Sequence, residues 1–124
     1  MPIVHTQTAR RAAYALLSTA LLAMAIAVLI GHGSGWWLFA AFIVAPDLAL
    51  LAGMSPTLQK GQLHPRAVPL YNALHSYWGP AVLALAGIVL PPGVVIGALA
   101  WALHISIDRS VGYGMRTRDG YQRS

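Results

Sequence analysis

Four long apolar stretches alternate with short polar ones along the chain, and their lengths set the first expectation about the fold. Residues 12–30 form an unbroken apolar run of about 19 residues behind the pair Arg10-Arg11, long enough to cross a hydrocarbon core of about 30 Å. A basic pair followed by an apolar run also describes a cleaved signal peptide. This run is longer than a usual signal core and leads through GHGSG straight into another apolar segment, so it reads as a retained helix behind a short polar leader. The second span, about residues 35–54, opens on Trp36-Trp37, where an interfacial aromatic belt belongs. It contains Pro46-Asp47, and the proline predicts a kink because it forfeits the bond to the Phe42 carbonyl. SPTLQKGQLHPRAV, residues 55–68, lacks apolar periodicity and reads as the one sizeable extramembrane loop. The third span, about 69–90, has a polar aromatic first half, PLYNALHSYWGP, in which Pro80 frees the Ser76 carbonyl. Pro91-Pro92-Gly93 reverses the chain into a fourth span, about 93–113, and a basic tail follows. The expected fold is a single all-α domain over residues 1–124, a polytopic membrane protein with four transmembrane helices.

Composition agrees with that pattern: 57% of the residues are hydrophobic and 9% charged, against the quarter or so charged in a soluble domain. The net charge of +5 is explained by topology and not by nucleic acid. All eight cations lie before span one, in the long loop, or at and beyond the closing end of span four, and the connections GHGSG and PPG carry none. The positive-inside rule therefore places both termini and the loop in the cytoplasm of a multi-pass inner-membrane protein. With no cysteine, histidine and carboxylate are the available metal ligands.

Ionisable residues within spans are costly and need a partner or a purpose. His104 and Asp108 stand four apart on one helix face, with Trp101 and Gly112. At a rise of about 1.5 Å per residue, Asp47, His75, His104 and Asp108 lie roughly 10, 9, 14 and 8 Å from the cytoplasmic ends of their spans, one band. Gly79, Gly97 and Gly112 are expected to let the helices close on one another. Two aspartates and two histidines would then line a pocket open to the cytoplasm, a donor set suited to one divalent metal, zinc, iron or manganese. The same residues also read as two hydrogen-bonded pairs holding helices together. Arg109 reads as a terminal snorkelling cation, with neutralisation of Asp47 or Asp108 as an alternative. Tyr71, Tyr77, Trp78 and Trp101 read as packing and interface residues, and span one as packing or a lid.

PDLALL, YNALHSY and LHISIDRSVGYGM, at these spacings, resemble the DUF4260 family of small uncharacterised bacterial membrane proteins across nearly the whole chain. That resemblance implies topology and the importance of these positions, not a reaction. A weaker similarity is to membrane-bound metal-dependent hydrolases of the YdjM type, with a PD-x-D segment, an HR-x-x-THS segment and a late H-x-x-x-D helix. Pro46-Asp47, His75-Ser76, His104 and Asp108 match, whereas Ala49 and Tyr71-Asn72 replace other donors, which implies at most a single metal. The first functional expectation is a metal-dependent hydrolase of a lipid or amphiphile: Asp47, His75, His104 and Asp108 form the catalytic metal site, Arg109 steadies an anionic head group, and Tyr71, Asn72 and Ser76 contact substrate. The alternatives are a small accessory subunit of a larger membrane complex or homo-oligomer, and a proton or ion relay. Membrane lipids are the partners common to all three.

The cation pattern makes a direct prediction. A reporter inserted near Gly61 or fused after Ser124 reads cytoplasmic, and a cysteine at Ser34 or Gly93 is labelled from outside; a periplasmic signal from either reporter overturns the four-span topology.

Overall fold

The computed structural model describes residues 2–123, and among them the apolar runs become six α-helices and two short 3-10 turns. Helix α1 (Pro2–His32) is longer than the expected first span because the polar leader is helical too. No glycine or proline interrupts residues 3–30, so nothing in the sequence stops the helix at Arg11. It ends where Gly33 and Gly35 adopt φ of 67° and 97°, conformations that other residues rarely take.

The predicted kink in the second span is a break. Helix α2 (Trp36–Val44) passes into a 3-10 turn, Ala45–Asp47, and resumes as α3 (Leu48–Ala52). Asp47, expected just beyond the distortion, is the last residue of that turn. The third span is divided as well, into α4 (Val68–Leu74) and α5 (Trp78–Ala86), with residues 75–77 outside any helix. Pro80 has no N–H for the Ser76 carbonyl, and Ser76 Oγ donates instead to the Asn72 carbonyl at 2.6 Å. A second 3-10 turn, Pro65–Ala67, precedes α4 and is capped by His64, whose Nδ1 accepts the Arg66 N–H.

Helix α6 (Val94–Ser110) is the central element, packed against α1, α2 and α5, with residues 96–100 and 103–106 buried. Two of the three glycines expected at close approaches serve that purpose. A Cβ on Gly97 would stand 2.9 Å from the Phe42 ring, and one on Gly79 would overlap the Trp101 indole. Gly112 does something else: at φ 100° it turns the chain beyond the end of α6, and it lies beside Arg11. The tail that follows is a small hairpin, with Arg116 and Gln122 bridged in antiparallel fashion and a turn closed by Gly120 N–H to the Thr117 carbonyl. It docks on the loop before α4 through Leu63 N–H to the Gly120 carbonyl (2.9 Å) and Gln62 Nε2 to the Asp119 carbonyl (2.8 Å).

Val4–His32 is the one helix among the described residues long and apolar enough to cross a membrane; the apolar segment Trp36–Ala52 is shorter. Most of α1 is uncovered, with Leu16, Leu22, Met24 and Ile30 exposed, as are Val82, Leu85 and Ile88 to Leu90 around α5.

The seam between α5 and α6 predicts a strong effect from one added methyl. The indole at Trp101 is held by its Nε1–H, which donates to the Leu74 carbonyl at 2.7 Å, and it has no free path away from Gly79. Gly79→Ala is expected to cost about 1–3 kcal/mol, read as a lowered melting temperature in detergent, whereas Gly31→Ala, in helix α1 with open space around it, leaves melting unchanged or slightly raised.

Candidate metal centre

The two proline-linked breaks supply the backbone groups that aim the histidines. An α-helix leaves its last carbonyls without N–H partners, and the break after α2 creates such an end inside the fold, whereas the Tyr71 carbonyl near the end of α4 also accepts the His75 N–H at 3.0 Å. Ile43, in the last turn of α2, presents its carbonyl to His104 Nδ1 at 2.7 Å; Tyr71 presents its carbonyl to His75 Nδ1 at 2.8 Å. A carbonyl oxygen only accepts, so each Nδ1 carries a proton, and in a neutral ring the Nε2 lone pair then faces the other way. Tyr71 fixes His75 a second time by stacking, ring centroids 3.9 Å apart and planes 15° from parallel.

Both lone pairs point to one place. His75 Nε2 and His104 Nε2 are 3.3 Å apart; Asp47 Oδ1 is 3.2 Å from each and Asp108 Oδ2 is 3.4 Å from each. All four donor atoms lie within 4.8 Å of one another. An ion bound tetrahedrally at about 2.0–2.1 Å sets neighbouring ligand atoms about 3.3–3.4 Å apart, so five of the six separations already have that spacing. With both rings neutral, four acceptors converge, and a cation is what such a group accommodates. The second bond from each ring to a backbone carbonyl is the usual way a metal-binding histidine is oriented. Zinc, iron or manganese suits a set of two imidazoles and two carboxylates. The histidines are buried, 2% and 8% exposed, while the Asp47 side chain is 46% and the Asp108 side chain 23% exposed, so the centre is closed on its nitrogen side and open on its oxygen side.

The remaining expected site residues are placed around this centre and face other parts of the chain. Tyr71 is buried, its hydroxyl accepting from Gln122 Nε2, with the Arg116 guanidinium 4.8 Å from its ring on the tail side. Asn72 grips the tail at both backbone groups of Arg116, accepting its N–H at 2.7 Å and donating to its carbonyl at 3.1 Å. Ser76 Oγ lies within reach of the Met115 sulfur. Arg109 donates to the Tyr14 hydroxyl and the His75 carbonyl and lies 4.8 Å from the Tyr77 ring centroid. The ion pairs among the described residues are those within the four-residue cluster, so the alternative of Arg109 neutralising Asp47 or Asp108 is not realised. Three contributors escaped sequence reasoning: the Ile43 carbonyl, the tail that braces Tyr71, and Tyr14, which brings α1 to Arg109. Tyr14 and Arg109 were visible as polar residues at similar depth, but nothing in their spacing pairs them.

An all-helical chain with a convergent pair of histidines and pair of aspartates is the class that fold and site define. The chain belongs to the DUF4260 family, a domain of unknown function, whose family model matches residues 12–124. No curated protein and no solved structure matches the chain.

The Asn72 latch is testable without any ligand. Asn72→Ala removes two hydrogen bonds to Arg116, about 1 kcal/mol each, and is expected to raise the rate of tryptic cleavage after Arg116 and Arg118 by about thirtyfold, provided the tail reopens faster than it is cut. Unchanged cleavage shows that the tail is held elsewhere.

Proposed function

We propose that the chain is a multi-pass membrane protein that holds one divalent transition metal at Asp47, His75, His104 and Asp108 and hydrolyses an ester of a lipid or other amphiphile. The observation that carries this reading is the pair of Nε2 lone pairs fixed by backbone carbonyls and aimed, with two carboxylate oxygens, at one point. Membrane residence is supported by the length of α1, by its uncovered apolar side chains, and by the confinement of all eight cations to residues 10–11, 60–66 and 109–123. A metal ion in such a site supplies a water of lowered pKa as nucleophile and polarises the ester carbonyl or phosphoryl group. The protein's part is to keep the two buried imidazoles rigid and the carboxylate side accessible. Asp47, the more exposed carboxylate, is the donor freest to swing aside, leave a coordination position for substrate, and take up a proton. Arg109, next to Asp108, holds a positive charge beside the centre for an anionic head group.

A second reading, a structural subunit of a larger membrane complex, is favoured by the uncovered apolar surface of α1 and α5. In that case the cluster ties α2, α4 and α6 together and performs no turnover.

Elemental analysis of detergent-purified protein, prepared without chelator and supplied with zinc, iron and manganese, is expected to find about one ion per chain. His104→Ala is expected to lose it while still inserting in the membrane, since insertion depends on apolar length and cations. Wild type without metal overturns the reading. Wild type with metal that cleaves no ester-linked amphiphile, and whose melting temperature falls on chelation, favours the structural subunit.

A further inference from the structure

Half of the chain's cations meet in one place. A cavity of about 330 Å³ lies where the first turns of α1, the end of α6 and the tail come together, and Arg10, Arg11, Arg109 and Arg123 all line it. The three acidic residues lie elsewhere: Asp47 and Asp108 in the metal centre and Asp119 in the tail hairpin. Among the described residues none of these arginines has a carboxylate partner, so their mutual repulsion is unrelieved within the fold.

Positive residues at one end of a bundle follow from membrane topology alone, but topology does not require convergence. These arginines come from three separate parts of the sequence, Arg10-Arg11, Arg109 and Arg123, and two are held in place by neutral groups. Arg11 Nε donates to the Ser110 carbonyl at 3.0 Å, which leaves its two terminal nitrogens free. Arg109 is fixed by Tyr14, by the His75 carbonyl and by the Tyr77 ring, bonds that position the guanidinium without discharging it. Arg123 is anchored through its backbone, its N–H donating to the Met115 carbonyl at 3.1 Å.

We infer that this cavity binds a phosphate group, carried by the head group of an amphiphile or free in solution. A phosphomonoester brings nearly two negative charges and three oxygens, and planar guanidinium forks match phosphate oxygens two at a time. A carboxylate brings one charge, too little for four arginines. The volume is at the small end for ligand sites, enough for a head group and not for a nucleic acid strand. As a binding site the cavity stands without the metal. As the anchor of a substrate it rests on the proposed hydrolysis, with Arg109 shared between the phosphate and the backbone of His75.

The test measures binding of three probes to the full detergent-purified chain: dihexanoyl phosphatidic acid, dihexanoyl phosphatidylcholine and inorganic phosphate. Arg10→Gln/Arg123→Gln removes two lining charges, and Lys60→Gln/Arg118→Gln removes two exposed charges outside the cavity, so net charge is matched. Phosphatidic acid is expected to bind wild type at least tenfold more tightly than phosphatidylcholine, to lose at least tenfold in the cavity variant, and to change less than twofold in the control. Inorganic phosphate binding as tightly as phosphatidic acid, with the same loss in the cavity variant, identifies free phosphate as the source; weak phosphate binding identifies the lipid. Equal loss in both double variants, or equal binding of phosphatidylcholine, overturns the inference. His104→Ala separates it from the metal reading, because it is expected to lose metal and keep phosphatidic acid binding. Metal retained in a wild type that binds neither phosphate probe sinks the cavity alone.

Discussion

Two hydrogen bonds that leave the site determine what the site can be. Because His75 and His104 each give the Nδ1 proton to a backbone carbonyl, their Nε2 atoms face each other and two carboxylate oxygens as acceptors. Four acceptors in a partly desolvated space repel one another and forgo hydration, and only positive charge relieves both costs. Donating Nε2–H to a carboxylate would have made each histidine the proton carrier of an ordinary helix-to-helix bond. A ring protonated at both nitrogens makes that bond without giving up the one to the carbonyl. The carbonyls of Ile43 and Tyr71, residues outside the donor set, therefore set the direction in which the two Nε2 atoms point.

The Ile43 carbonyl lies at the end of a broken helix, whereas that of Tyr71 is shared between the N–H and the ring of His75. A proline inside a helix would cost roughly 3 kcal/mol; Pro46 and Pro80 instead fall in the first turn of the segments that follow the breaks, where the missing N–H has no helical partner. Each break returns something specific. The first ends α2 so that Ile43 orients His104 and places Asp47 on a tight turn; the second leaves the Leu74 carbonyl for Trp101 and the His75 carbonyl for Arg109. Each of these hydrogen bonds is made by a side chain of α6. Gly79 and Gly97 complete the arrangement by letting the indole and phenyl rings lie flush against backbone where any side chain would hold the helices apart.

How much of this was legible in the sequence depended on the range of the interaction. Apolar runs, prolines and the four-residue spacing of His104 and Asp108 are local signals, and they indicated an all-α chain, a distortion near each proline, which the structure turns into a break, and the pair on α6. Depth along the spans then brought Asp47 and His75 to the same level, because helix rise is uniform. Orientation was not legible. Nothing in PLYNALH says that Tyr71 presents its carbonyl and ring to His75 and its hydroxyl to Gln122, and nothing in MRTRDGYQRS announces a hairpin that grips Asn72. The tail reads as basic and therefore solvated, yet its contacts are made largely by backbone, which composition does not report. Residues 2–11 read as a leader for the same reason: polarity marks where a bilayer ends and not where a helix does.

The division of charge across the fold joins the two sites into one arrangement. Two of the three carboxylates are drawn to the imidazoles, and half of the cations gather at the neighbouring cavity, so the chain carries a cation-seeking centre beside an anion-seeking one. Arg109 stands between them. It lines the cavity, donates to the backbone carbonyl of His75, and is held by Tyr14 of α1, so the first helix, which contributes no donor to the centre, reaches it through this one guanidinium. A helix that the sequence assigns to packing thereby positions the charge that a bound anion would meet next to the metal ligands. The four-donor cluster alone is equally suited to structure or to chemistry, and it is this adjacent, uncompensated positive charge that favours chemistry on an anionic amphiphile.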